Sequence, residues 1–491
     1  MPAVRPLRPE LAQAPGVYYS PQSREPESQF ARTDVAGFVG FDPLSNRLNS
    51  GADRHRPVRC DDWQDYVTNV SKVGEPADDG SLLSHAVRSF FMNGGRRCYV
   101  VMVDPPDLTL SGDQLALHLE IVLQKLLGER GQSAAQATGM EQLLLIDEVA
   151  MIDIPDLYAF RPAPIPPPET LGGSEEEACF VPCSKIRGQV FSVQSQRHQP
   201  AMIPWFNTEA VFDLQKRMIA RCIPERWRVL LLLNVPWHSD SRLSPSPDDA
   251  AEWRLRFDKL VRTEGFAEAE EMSCAALYYP WVRAHDRIGA PVRELPPTSF
   301  VAGVIARRDL ARGSHVSAAN EVLRGVVQLA WPIDEDVQAM LYPVVSSSSE
   351  QMPSVNVLRA FPGFGIQVWG ARTLSTDKYL RFLSVRRCLS AIQRRIKFAL
   401  DALVFEPNTE ILWLQITQIV FSTLQTLFES GALRGERIEQ AFYVRCDSTI
   451  NGPDEIQSGH VLCEVGVAIV APAEFIVFRL GRREGVVEVV E

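Results

Sequence analysis

Several signatures that would assign a chemistry are missing from this chain. No G-x-x-x-x-G-K-[ST] stretch occurs, and the pairs Gly94-Gly95 and Gly172-Gly173 do not open a helix, so nothing cradles a nucleotide phosphate. There is no G-x-S-x-G elbow and no Gly-Thr-Ser stretch opening a helix. Basic charge is in short supply. Lys and Arg total 50 against 61 Asp and Glu, a net −11, which disfavours direct binding to nucleic acid. The longest apolar runs, such as VLLLLNVPW at 229–237, fall short of the roughly 20 residues that span a bilayer, and no membrane insertion is expected. The opening residues, MPAVRPLRPELAQAPG, have no apolar signal core, so the expectation is a chain made and assembled in a cytoplasm. Nine cysteines (60, 98, 179, 183, 222, 274, 388, 446, 463) are irregularly spaced. Cys179 and Cys183 have no second Cys or His pair at zinc spacing, and the set reads as reduced and structural.

At 491 residues, with 45% apolar and 23% charged residues, the chain reads as two or three globular domains. Residues 1–30, rich in Pro, Arg, Gln, Ser and Glu, cannot bury enough apolar area to fold alone. Within them APGVYYSP (14–21) is a strand-like island, readable as tail or as an arm that adds to another sheet. TDVAGFVGFDP (33–43) predicts a buried strand. FFMNGGRRCYVVMV (90–103) predicts helix, turn and buried strand, with the glycine pair supplying the turn. LLLIDEVAMIDIPDL (143–157) predicts a continuous apolar strand. Further helices are expected at 112–127, 208–221 and 249–263, with strands at 228–236 and 275–280. Helices alternating with fully apolar strands point to an α/β fold with a mostly parallel sheet covered on both faces. The Pro-rich, then acidic stretch 161–203 reads as a surface insertion.

The last quarter changes character. After the turn GFGIQVWGARTLS (363–375), apolar residues at Leu383, Leu389, Ile392, Ile396, Leu400 and Leu403 predict a helix from about 376 to 403, N-capped by Ser375. Arg381, Arg386, Arg387, Arg394, Arg395 and Lys397 predict a basic opposite face. A second helix, capped by Asn408, carries Leu412, Ile416, Ile419, Leu424 and Leu427 and stops at Gly431. Strands follow at 441–444, 461–470 and 474–478. The tail 474–491 holds two β-prone strings, readable as a terminal hairpin or as a strand given to a neighbour.

Three stretches of this quarter, GIQVWGARTLS (365–375), RRCLSAIQRRIKFALDALVFEPNTEILW (386–413) and VGVAIVAPAEFIVFRL (465–480), resemble in order and spacing the C-terminal domain of contractile tail sheath proteins. That family covers phage tails, R-type pyocins and extracellular contractile injection systems. PGVY at Pro15, Gly16, Val17 and Tyr18, NGG at 93–95 and ELPPTSFVAGVIARRDLARGSHVSAAN (294–320) are similar to other parts of it, although Thr298-Ser299-Phe300 departs from its usual Ser-Gly-His. The resemblance implies a multi-domain sheath fold: an N-terminal arm (1–30), a subtilisin-like α/β domain (31–160 and 204–372), the insertion (161–203), an α+β C-terminal domain (373–473) and a C-terminal strand or arm (474–491).

It further implies a structural subunit that stacks as hexameric rings into a helical polymer around an inner tube. Baseplate and terminator or cap proteins would be further partners, in a bacterial phage tail or tail-like particle. Inter-subunit arms would use Pro15, Gly16, Val17, Tyr18, Val486, Val487, Val489 and Val490. Arg387, Arg394 and Arg395 are candidates to face the tube. A low-copy sheath paralogue is the alternative, and a subtilisin-like hydrolase the distant one. For a hydrolase the candidates are Asp147, His238, His315 and Ser299, none in a catalytic frame. Asp147, Glu148, Asp153 and Asp156 read as solvated strand-end carboxylates rather than a metal site. The expectation is no catalysis, no cofactor and no metal.

Overall fold

The computed structural model describes residues 32–42, 56–71, 81–107, 109–131, 136–162, 202–237, 244–285, 292–343, 352–403, 405–457, 459–472, 479–483 and 486–490. The Pro15–Tyr18 motif, the 163–201 stretch and His238 lie outside them. Contacts divide the chain into two units, Asp34–Arg387 with Ala471–Glu491, and Met1–Thr33 with Cys388–Val470. The division falls inside a helix, beyond the 372/373 boundary expected from sequence.

The larger unit contains β1 (Ala36–Phe41), β2 (Val58–Cys60), β3 (Cys98–Val103), β4 (Met151–Asp153), β5 (Phe160–Pro162), β6 (Met202–Pro204), β7 (Leu230–Asn234), β8 (Ala275–Tyr279), β9 (Val282–His285), β10 (Val292–Leu295), β11 (Glu321–Val322), β12 (Val326–Leu329), β13 (Val355–Phe361) and β14 (Gly365–Val368). Nine of these form one sheet in the order β11-β14-β13-β8-β7-β4-β1-β3-β2. From β13 to β3 every neighbouring pair is parallel. β2, β14 and β11 add antiparallel edges. β1, β7 and β8 are buried along their whole length, which is why their sequences show no alternation. β10-β9-β12 and β5-β6 are smaller antiparallel sheets.

Local chemistry explains the helices between these strands. Ser246 and Asp249 form a reciprocal capping box at the start of Pro247–Arg262, and Asn207 caps Thr208–Cys222. After Leu83–Met92, Gly94 takes φ +108°, as the Asn-Gly-Gly wording predicts. The Asn93 side chain holds that turn by donating to Ser89 O and Arg324 O and accepting from Arg324 N.

Stretch 143–157 corrects its reading as one strand. It contains the end of the helix Gly139–Leu144, the three residues of β4, and a 3-10 turn at Pro155–Tyr158. A fully apolar run cannot by itself distinguish a buried strand from a buried helix end, and Pro155 has no N–H to extend the ladder.

The smaller unit is built on most of the helix Leu383–Leu400, the helix Glu410–Glu429, and the antiparallel pair β15 (Phe442–Arg445) and β16 (Glu464–Val467). Its core packs Cys388, Ile392, Leu412, Trp413, Ile416, Val420 and Leu424. Two details differ from the expected caps. The first helix starts at Leu383, not near 376, because Asp377 Oδ1 accepts from the N–H groups of Tyr379 and Leu380 and holds a separate turn. Asn408 does not cap the second helix; its side chain accepts from Trp413 Nε1 and donates to His460 O, and Thr409 stands at the N-cap. Gly431 ends that helix at φ +76°, as expected. The tail forms β17 (Arg479–Arg483) and β18 (Val486–Val490), paired antiparallel.

Candidate assembly surfaces

In an open parallel sheet, ligands enter a crevice at the carboxyl ends of the strands, where the strand order reverses. Here that crevice lies beside β1, whose neighbours are β3 and β4, and the protein fills it with its own polar side chains. Asp156, fully buried, accepts from the N–H groups of Phe41 and Leu82, each at 2.5 Å, and from Ser81 Oγ at 2.9 Å. Gly40 permits this approach: a Cβ there would stand 2.5 Å from Asp156 Oδ2 and 2.7 Å from Leu83 Cβ.

Next to it, Asp153 accepts from the hydroxyls of Thr298 (3.0 Å) and Ser299 (2.8 Å). Thr298 Oγ1 accepts from Asn234 Nδ2, Asn234 N donates to Tyr158 Oη, and Gln215 Nε2 donates to both Tyr158 Oη and Asn234 O. Trp253 Nε1 closes the chain of bonds by donating to Gln215 Oε1. Asp153, Asp156 and Glu148 therefore correct the solvated-carboxylate reading. They are buried, and Glu148 pairs with Arg97 and Tyr99. The sequence shows acidic residues after an apolar strand but not the donors brought to them from other elements.

The hydrolase candidates are not brought together. Ser299 gives its hydroxyl to Asp153, Asp147 is exposed, and His315 is half-buried near Arg312. The nearer histidine, His85, lines one small cavity with Ser299, but it accepts from Arg293 Nη1 at 3.0 Å. No cluster of metal-ligating side chains occurs among the described residues.

Burial pushes Asp153 up from the ordinary 3.8 to about 7, against the lowering effect of its hydroxyl donors. The folded state thus holds this proton more tightly than the unfolded chain. The stability it contributes is complete below about pH 4 and is lost as the pH rises through 7. Asp153→Asn should flatten that fall. Between pH 5 and pH 7.5 the wild type should lose about 2–3 kcal/mol more than the variant in urea unfolding. Equal losses in both proteins would refute the assignment.

The arginine row also differs from expectation. Arg387 is buried in a two-point ion pair with Asp309, at 2.9 and 2.8 Å. Arg386, equally enclosed, lies over the ring of Trp227, and burial pushes its guanidinium down to about 10. Arg394 is buried and donates to Arg32 O at 2.7 Å. Arg387 and Arg394 therefore do not lie on the exposed basic face expected of them: both are buried and bonded within the chain. Arg395 is half-buried and Lys397 exposed. Helical spacing put Leu389 in the core and the arginines outside; in fact Leu389 is only half-buried while Arg386 and Arg387 go in.

What the smaller unit does expose is apolar. Ile411, Leu414 and Phe421, with Gln415 and Gln418 between them, line the outer side of the helix Glu410–Glu429. The sequence reading saw only the inner stripe of this helix. Both faces together make it long and apolar enough to cross a membrane by length and composition, contrary to the estimate from apolar runs. Its inner face nonetheless packs in the second core through Leu412, Trp413, Ile416, Val420, Leu424 and Leu427.

Strand edges are the other available surface. Among the described residues β15 and β16 pair as a two-stranded ribbon, and so do β17 and β18. Val486, Val487, Val489 and Val490 thus find a first partner within the chain, opposite Arg483, Arg482, Leu480 and Arg479.

Residues 375–481 match the phage tail sheath C-terminal domain family. Nearly the whole chain, 96%, superposes on all of a subunit from the contracted helical sheath of the anti-feeding prophage, with a TM-score of 0.59 and 23% identity. The chain is similar to contractile tail sheath proteins. The tail sheath protein of Burkholderia phage BcepMu is 28% identical over 204 residues, 40% of each chain. A putative prophage major tail sheath protein of Pseudomonas aeruginosa is 24% identical over 266 residues, 51% of this chain and 64% of that one. The chain thus aligns with less than two thirds of either sheath protein. Its sheath fold is the mixed architecture described above, a large mostly parallel sheet with a separate helical and β-ribbon unit.

Proposed function

We propose that this chain is a structural subunit of a contractile tail sheath. It polymerises with copies of itself as stacked hexameric rings around an inner tube, and its contraction drives that tube through a target envelope. The observation that carries this reading is the sheath-domain match at 375–481, set within a sheath fold that covers nearly the whole chain. A crevice plugged by Asp153 and Asp156 supports a role without catalysis, since the place where an α/β enzyme binds substrate is occupied. Head-to-tail contacts that do not close on themselves generate a helical sleeve, and two packings of one subunit allow it to store and release free energy. Baseplate and cap proteins would bound the sleeve, within a phage tail or tail-like particle assembled in the bacterial cytoplasm.

Connectivity would come from the arms, with Pro15–Tyr18 at one end and β18 at the other. An isolated two-stranded ribbon is marginal in water, so β17-β18 gains by docking on a neighbour's strand edge. Of the three candidate arginines only Arg395 is not buried, which favours it for tube contact. The outer face of Glu410–Glu429 offers a second, uncharged surface.

Electron microscopy of the purified chain, alone and with its tube protein, tests this reading. Striated sleeves or stacked rings are expected, and dispersed monomers in both samples would reject it. Removing residues 486–491 should abolish sleeves while leaving a folded monomer by circular dichroism. Normal sleeves from that truncation would reject strand exchange through β18.

A further inference from the structure

Two pairs of cysteines stand directly opposite each other across antiparallel strands. Cys60 and Cys98 are register partners in β2 and β3. In the smaller unit Arg445 pairs with Glu464, so one step further Cys446 faces Cys463. Ala468 N donates to Ala441 O. Counting in alternation from that bonded position puts Cys446 and Cys463 at a non-hydrogen-bonded rung, the type that brings side chains closest. Backbone separation at such a rung falls within the range a disulfide bridges.

The surroundings hold that geometry in place. Leu462 N and O point to where the next rung would be, and the Asn451 side chain takes its place: Oδ1 accepts from Leu462 N at 2.7 Å, and Nδ2 donates to Leu462 O at 2.9 Å. The same Nδ2 lies 3.9 Å from Cys446 Sγ. Asn451 is buried, so it holds the Leu462 backbone at the base of the 447–462 excursion and sits beside the Cys446 sulfur. Access separates the two pairs. Cys60 and Cys98 are 0% exposed, whereas Cys463 is partly open to solvent.

We propose that Cys446 and Cys463 form a redox-active dithiol, which a small-molecule disulfide converts to a cross-strand disulfide closing the base of the 447–462 excursion, while Cys60 and Cys98 stay reduced. The Cys463 thiol loses its proton to solvent, and the thiolate attacks one sulfur of the reagent, expelling one small thiolate and forming a mixed disulfide. Cys446 then loses its proton and attacks the Cys463 sulfur, expelling the second small thiolate. Two protein thiols are oxidised and one reagent disulfide is reduced to two thiols. Burial raises both protein thiols, Cys446 to about 11, so the reaction is slow at neutral pH and suits a structural crosslink better than a fast sensor.

The test is to incubate the folded full-length chain with oxidised glutathione, alkylate remaining thiols after unfolding, and map peptides by mass spectrometry. A linked peptide joining Cys446 to Cys463, lighter than its reduced parts by about 2 Da for the two hydrogens lost, is expected, with Cys60 and Cys98 fully alkylated. Recovery of Cys446 and Cys463 as alkylated thiols, or as separate glutathione adducts without a link, would overturn the proposal. Cys463→Ser should abolish the linked species. Independently of that variant, the oxidised wild type should melt several degrees above the reduced one. An unchanged midpoint would refute the closure of the excursion.

Discussion

Arg387→Ala should lower the stability of this protein by about 3–5 kcal/mol, the cost of leaving a buried carboxylate without its cation. Asp309 is the carboxylate concerned. Both of its oxygens receive guanidinium N–H groups, at 2.9 and 2.8 Å, and both side chains are more than nine-tenths buried. Removing only the cation strands the charge in a medium that solvates it poorly. The pair itself need not be stabilising, because desolvating two ions offsets most of their attraction. Replacing both partners by apolar residues, Arg387→Met with Asp309→Leu, should therefore recover most of the loss. Urea unfolding of the two variants decides the matter. A single variant within 1 kcal/mol of wild type would show that Asp309 is solvated or held by something else.

Asp156→Ala carries an effect of similar size for a different reason. The carboxylate accepts two backbone N–H groups, from Phe41 at the end of β1 and from Leu82 at the entry to the helix Leu83–Met92, as well as the Ser81 hydroxyl. Asp156 is 0% exposed, and Phe41, Ser81 and Leu82 are all buried around it, so water replaces the lost acceptor poorly. Each buried donor left without an acceptor costs about 1–3 kcal/mol; the Ser81 hydroxyl can rotate, so the two backbone N–H groups set the expected loss at about 2–6 kcal/mol by denaturant unfolding. Asp156→Asn should be intermediate, because its amide oxygen still accepts while its NH2 faces a donor. Loss of less than 1 kcal/mol for the alanine variant would mean that water enters the crevice.

These two sites mark the limit of what the residues announced. Strands such as β1, β7 and β8 were legible because burial on both faces makes a continuous apolar run. The Asn93-Gly94-Gly95 turn was legible because a positive φ leaves few residue choices. Arg387 was misplaced because helical period ranks residues by polarity, whereas its burial depends on Asp309, 78 positions away in the chain. Asp153 and Asp156 were misread as solvated for the same reason: their donors come from Thr298, Ser299, Phe41, Ser81 and Leu82. The outward apolar stripe of Glu410–Glu429 escaped because the inner stripe already accounted for a helix. The family, by contrast, was carried by order and wording in the last quarter, which tertiary contacts do not disguise.

The pairing of β17 with β18 has a kinetic consequence. Pairing uses one edge of β18 and leaves the other for a further strand, so on the proposed reading two routes lead to a linked neighbour: the ribbon is added whole, or β18 leaves β17 and is swapped. Addition of the whole ribbon would keep speeding up with subunit concentration, whereas a swap would level off where hairpin opening rather than encounter sets the pace.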